Sequence, residues 1–320
     1  MTRSTAFFVN GGAGRHICSI PAFEKYEAEN PDDDFIIVCE GGMDMYKGHP
    51  TLHARSYDNW HKNLFQDKIK DRNCVTTEPY RVWEYYNQKA NLVSAFDIQV
   101  NGKGLRDLPD PTLYLTAAEL IQGQDIIDEV REKTKKEKVI VFQPYGRSTQ
   151  PMGSKGQHLV DSGGRSFGLQ DTIKLIKKLQ KKYAVVVFSE FQGDFSQHGI
   201  TEPVAQPEGA PLRIWASAIK AANGFLGCDS VGQHFAYSTK TPAVTVLGST
   251  YQENVSYPDN DIFQVLDLGH DRRKYDPIRI SFEEEISMAH EGIMMLSEGA
   301  INEIAKELDM VISKGAKNEK

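Results

Sequence analysis

The sequence predicts an α/β protein of two open, parallel-sheet halves, each Rossmann-like. Three observations carry this expectation. Short apolar runs ending in glycine or polar turns alternate with segments of helical periodicity. The same alternation restarts after residue 138. The 320 residues suffice for about two domains of roughly 150 residues each.

In the first half, Thr5–Val9 reads as a buried strand. It ends at Asn10-Gly11-Gly12, and a helix over about Ile17–Ala28 carries Ile17, Ile20 and Phe23 on one face. Phe35–Cys39 is a second buried strand, closed by Gly41-Gly42, so the opening forms a βαβ unit. The stretch from Tyr46 to Ile98 is dense in aromatic residues: Tyr57, Trp60, His61, Phe65, Tyr80, Trp83, Tyr85 and Tyr86. Such density reads first as core and second as a pocket lining. A helix over Thr116–Arg131 precedes the charged run 132–138, the expected linker between domains 1–131 and 139–281.

The second half reads as strand 139–142, a long polar loop 143–165, helix 169–182, strand 184–188, helix 212–222, strand 224–227, helix 230–237 and strand 242–247. The tail 282–320 reads as helical, anchored by Ile286, Met294, Met295, Ile301, Ile304 and Leu308.

Composition narrows the function. A net charge of −7 excludes a generally basic nucleic-acid coat but not a local basic cleft, so nucleic acid is disfavoured as a partner without being excluded. No apolar run approaches bilayer length, and Phe7–Val9 breaks too early for a signal peptide. The four cysteines form no C-x-x-C pair. Reduced thiols and a cytoplasmic location are therefore expected, without a zinc knuckle.

Three segments carry candidate chemistry. Gly11, Gly12 and Gly14, with Arg15 and His16, lie between a strand and a helix, where backbone N–H groups can meet an anion. With Glu40 after the next strand, a dinucleotide site is an alternative, although the third glycine of that fingerprint is missing. The loop 143–165 offers Arg147, Ser148, Thr149, Lys155 and Arg165, donors suited to phosphate. Most telling is Asp229-Ser230-Val231-Gly232-Gln233-His234. There a strand ends and a helix begins, Ser230 and Gln233 have capping-box spacing, and His234 falls on the Ser230 face. Hydroxyl, imidazole and amide groups would surround an anion at the positive helix end.

The run Ala216 to Ser230, with Phe225-Leu226-Gly227-Cys228-Asp229-Ser230, then His234, Pro242, Val244 and Leu247-Gly248-Ser249-Thr250, resembles the C-terminal half of the heptosyltransferase-type glycosyltransferases, glycosyltransferase family 9. Gly11 to Ala22 is similar to that family's opening, and Arg165-Ser166-Phe167 to the start of a later helix. The resemblance implies a GT-B fold, two Rossmann-like domains facing across a cleft, with the C-terminal helical segment crossing back onto the first. It implies an enzyme that moves a sugar from a nucleotide-diphosphate sugar to a carbohydrate or other hydroxyl acceptor, by inversion, with neither metal nor cofactor. Asp229, Ser230, Val231, Gly232 and His234 would flank the donor diphosphate, with Arg165 or Arg147 as its cation and Ser148 nearby. Gly11, Gly12, Gly14 and Arg15 would form the acceptor or phosphate loop. The family's N-terminal aspartate is Arg15 here, and arginine accepts no proton. His16, then Asp44, are the replacement bases expected from the sequence. Rival readings are a sugar-nucleotide epimerase, a non-catalytic sugar-nucleotide-binding protein, a modified-DNA base glycosyltransferase and an NAD-dependent oxidoreductase.

Overall fold

The computed structural model describes residues 4–152, 158–161, 163–273 and 292–318. These divide into two compact units, one ending at Thr116 and the other beginning at Ala117.

The first unit runs β1 (Thr5–Asn10), α1 (Ala13–Glu29), β2 (Ile36–Glu40), α2 (Leu52–Arg55), β3 (Ser56–Asp58), β4 (Asn73–Thr76), α3 (Trp83–Tyr86) and α4 (Leu92–Asn101). Its sheet has the order β3-β2-β1-β4, with every pair parallel. Apolar β1 and β2 lie at the centre, as buried parallel strands should. Phe7, Phe23 and Phe35 pack edge-to-face or stacked between β1, α1 and the start of β2. Helix α1 begins at Ala13, four residues before the expected start, because Gly12 is already its extended N-cap. The aromatic segment expected as core is divided. Tyr46 and Tyr85 are buried, whereas Trp60 is 87% exposed and Phe65 and Trp83 also face solvent.

The second unit runs α5 (Ala117–Thr134), β5 (Val139–Gln143), β6 (Thr149–Met152), β7 (His158–Asp161), α6 (Leu169–Leu179), β8 (Ala184–Val187), β9 (Val204–Ala205), α7 (Leu212–Ala221), β10 (Gly224–Cys228), α8 (Val231–Ser238), β11 (Ala243–Leu247), α9 (Gln252–Val255), β12 (Phe263–Asp267) and α10 (Glu298–Asn318). Strands β12-β11-β10-β5-β8-β9 form one parallel sheet. The polar loop after β5 is not irregular throughout: it contains the antiparallel β6–β7 pair.

Two expectations change here. The run 132–138 joins α5 to β5 inside the second unit rather than linking domains. Helix α5 is held to α7 by a buried, two-pronged ion pair, with Arg213 Nε and Nη2 each 2.7 Å from a Glu119 oxygen. The described part of the tail is helical only from Glu298, and residues 292–297 form a turn and coil. The expected anchor Ile286 lies outside the described residues, as does Lys155. In α10, Ile301, Ile304, Leu308, Val311 and Ile312 form a stripe at helical spacing that completes the second unit's own core.

Replacing Arg213 with methionine strands the Glu119 carboxylate in the core. The Arg213→Met protein should lose about 3–5 kcal/mol in urea unfolding. Adding Glu119→Leu should recover most of that loss, because the stranded charge is removed too.

Candidate functional site

In an open parallel sheet, the chain leaves neighbouring strands in opposite directions at one place. The loops that diverge there leave a crevice at the carboxyl ends of the strands. In the second unit this place lies between β5, which leads on to β8 and β9, and β10, which leads on to β11 and β12. The expected donor residues gather at this crevice.

Gln143, the last residue of β5, organises it. Its Oε1 accepts the Gly232 N–H at 2.8 Å, and its Nε2 donates to Ser230 Oγ at 3.0 Å. One buried amide thus caps α8 and ties β5 to the end of β10. The expected capping box does not form: Ser230 is the extended N-cap residue but makes no side-chain cap bond. Gln233 instead donates to Asp229 Oδ1 at 2.7 Å. Gly232 has to be glycine, since a Cβ there would stand 2.4 Å from Gln143 Oε1 and 2.5 Å from the Phe225 ring.

The loop after β7 forms the opposite wall around Asp161. Its carboxylate accepts the N–H groups of Gly163 at 2.9 Å and of Arg165 and Ser166 at 2.8 Å, together with the Ser148 hydroxyl. Burial alone would raise this carboxyl's pKa, but these donors outweigh it and hold the pKa below the usual range. The turn presents Arg165, whose Nη1 lies 3.7 Å from Asp229 Oδ2. Burial pushes Asp229 above the ordinary carboxylate range, against the opposing pull of Arg165. Ser148 is therefore a strut for Asp161, and Arg147 is exposed beside it. His234 is buried with Nδ1 2.8 Å from the Tyr257 hydroxyl. Burial lowers its pKa to about 4, so it is neutral near pH 7 and brings no charge to the crevice.

What results is a polar wall built on a rigid sheet edge: the positive end of α8 and the Arg165 guanidinium, presented by the turn that Asp161 holds. Its chemistry suits an anion. Gln143 and Asp161 were not singled out from the sequence. Asp161-x-Gly163-Gly164 is a turn signature that could have been read as such. A glutamine closing an apolar strand carries no comparable signal.

The first unit has its own crevice, between β1 and β4. Gly11, Gly12 and Gly14 turn the chain from β1 into α1, with Gly11 at φ +93°. Arg15, in the first turn of α1, lies 3.6 Å from Glu78 and 3.5 Å from the Thr77 carbonyl, over the ring of Tyr80. His16, the first base expected from sequence, is a core residue. It is fully buried, and its Nδ1–H donates to the Gly12 carbonyl at 3.1 Å. Gly42, at φ +76°, lies so close that a Cβ there would come 2.4 Å from Nδ1. Burial lowers the His16 pKa to about 4. An imidazole enclosed in this way reaches no substrate hydroxyl. Asp44 is exposed in a short turn after β2, and Glu40 is exposed at that strand's end.

No group of three or more His, Cys, Asp or Glu side chains among the described residues could hold a metal ion. Nor is any described helix long and apolar enough to cross a membrane.

No family model matches the sequence, and no curated protein does. Solved structures do match. A glycosyl transferase family 9 protein from Veillonella parvula is 12% identical, with a TM-score of 0.66 over 98% of this chain and 97% of its own. The heptosyltransferase TibC, determined with ADP-D-beta-D-heptose, is 12% identical at a TM-score of 0.58 over 97% of this chain and 77% of its own. The ADP-heptose LPS heptosyltransferase II of E. coli is 11% identical, with a TM-score of 0.54 over 97% and 99%. The likeness is one of fold: this chain has the GT-B type of fold, with two Rossmann-like parallel-sheet units.

The two buried histidines predict a pH dependence. Each takes up a proton near pH 6.5 when unfolded but only near 4 when folded. Their contribution to stability is therefore intact above pH 6.5 and is lost progressively toward pH 4. From pH 7 to pH 5 each should cost on the order of 1–2 kcal/mol in urea unfolding. His234→Gln should flatten that slope by one histidine's share; an unchanged slope would contradict a neutral His234.

Proposed function

We propose that this chain is a glycosyltransferase that moves a sugar from a nucleoside-diphosphate sugar to a hydroxyl acceptor. The observation that carries the reading is the second unit's crevice, where the start of α8, Arg165 and the Asp161 turn converge between β5 and β10. A diphosphate is an anion of the right kind for that wall. Two structures similar in fold are a complex with ADP-D-beta-D-heptose and an ADP-heptose LPS heptosyltransferase, which supports a sugar-nucleotide as donor.

In this reading the diphosphate rests against Ser230, Val231 and Gly232, with Arg165 as its cation and Arg147 at the rim. Asp229 orients Arg165, while Gln143 keeps the end of α8 in register with β5. His234 shapes the pocket through Tyr257. The reaction is a single displacement with inversion. The acceptor oxygen attacks the anomeric carbon as the bond to the diphosphate oxygen breaks, and charge on the leaving group is stabilised by fixed dipoles and the guanidinium. Gly11, Gly12, Gly14 and Arg15 serve the acceptor side, in the first unit. In this reading the half-buried Arg165, the exposed Arg147 and the helix end supply the positive charge that a metal ion would otherwise bring.

Calorimetric titration with ADP, UDP and GDP, each with and without EDTA, tests this. One nucleoside diphosphate should bind, unaffected by EDTA. Arg165→Ala should weaken it about tenfold or more, the value of one charge-assisted hydrogen bond. Binding of NAD alone would replace the transferase with the dinucleotide reading.

A further inference from the structure

The turn that presents Arg165 is held from two directions. From within its own loop, Asp161 accepts the N–H groups of Gly163, Arg165 and Ser166. From another strand, Ser249 reaches across. It stands two residues past the end of β11, and its hydroxyl donates to the Gly163 carbonyl at 2.7 Å, joining residues 86 positions apart. Ser249 is 1% exposed, so water cannot readily replace the bond, and removing the hydroxyl leaves a carbonyl short of its partner.

Gly163 is also where the Arg165 side chain rests. A Cβ at Gly163 would come 3.0 Å from Arg165 Nε, and one at Gly146 would lie 3.9 Å from its Nη2. The guanidinium thus lies along bare backbone at two glycines, with Asp229 Oδ2 3.7 Å from its Nη1. An arginine has many rotamers of similar energy, and the surface beneath it selects among them. The position of Gly163 therefore governs the aim of the guanidinium. Ser249 is itself firmly placed. A Cβ on its neighbour Gly248 would stand 2.5 Å from Met294 Cγ and Sδ and 3.4 Å from the Gly164 carbonyl oxygen. The Gly248 carbonyl accepts Arg273 Nε–H at 2.9 Å. Met294 is buried, and two residues on, the Leu296 N–H donates to Asp171 of α6 at 3.0 Å.

We propose that Ser249 is a positioning residue of the donor site: it fixes Gly163, and through Gly163 the direction in which Arg165 meets the diphosphate. The assignment rests on the transferase reading above and concerns the second unit alone. It extends the binding machinery from the ends of β5 and β10 to the end of β11. A diphosphate gains from a guanidinium that is already aimed, because less side-chain freedom remains to be lost on binding. A serine that merely satisfied a buried carbonyl would change affinity by the same factor whatever stood at position 165. A serine that acts through Arg165 loses its influence on affinity once the guanidinium is gone.

The test is a double-substitution cycle on the full chain. Affinity is read by calorimetric titration with ADP, UDP and GDP, and melting temperature is measured on every protein. Ser249→Ala should weaken the nucleoside diphosphate that binds wild type by about three- to tenfold, the range of one hydrogen bond. Added to Arg165→Ala, the same substitution should change affinity by less than about twofold. Gly163→Ala, which crowds Arg165 directly, should follow the same pattern, and it carries the test if Ser249→Ala does not fold. A Ser249→Ala protein whose affinity is within about twofold of wild type overturns the assignment. So does an equal loss in the presence and absence of the Arg165 guanidinium, and so does a Gly163→Ala protein that binds as wild type does. If wild type binds no nucleoside diphosphate, or Arg165→Ala binds it as well as wild type, the donor site itself is misassigned and the role of Ser249 falls with it.

Discussion

One buried side chain decides the shape of the second unit's binding edge. Gln143 stands at the end of β5, where the sheet's strand order reverses, and fills the gap that the reversal opens. It satisfies the Gly232 N–H and holds Ser230, so the end of α8 has a fixed position relative to two strands. The sequence around it follows from that fact. A side chain at Gly232 would collide with Gln143 and with the Phe225 ring, and one at Gly227 would also meet Phe225. The glycines of this segment mark close packing between β5, β10 and α8. The same packing holds the start of α8 rigid before any ligand arrives.

The first unit solves the same topological problem differently. Its reversal, between β1 and β4, is filled by a guanidinium over aromatic rings and a carboxylate that does not close on it. The two crevices therefore differ in the charged groups they bring together. One sets Arg165 and the start of α8 beside the buried Asp229; the other sets Arg15 3.6 Å from Glu78. The neutral, enclosed His16 belongs to neither, despite its place beside the glycine turn.

Much of the fold was legible because buried parallel strands are apolar runs, and those at the centres of both sheets were read to within about two residues. The strands that sequence reading missed are β3, β4 and β9, short strands with partly exposed residues, and β12 with its mixed pattern. Edge strands carry little alternation. The β6–β7 pair was hidden in a polar loop for the same reason. The exposed Trp60, Phe65 and Trp83 misled the core assignment, since composition records aromatic density and not its direction. At the site, Asp229 to Gly232 and Arg165 were visible as a motif. Gln143 was not, because it acts across the sheet on residues 87 and 89 positions away, a distance that local spacing cannot encode. The Ser230–Gln233 spacing suggested a local cap where a long-range one prevailed.

Hydrogen–deuterium exchange with and without a nucleoside diphosphate tests most directly whether the β5–β10 crevice is the nucleotide site. Slowed exchange should concentrate in peptides covering 143–149, 163–167 and 229–234, with residues 10–16 unchanged. Protection centred on residues 10–16, with the second unit unaffected, would contradict the account.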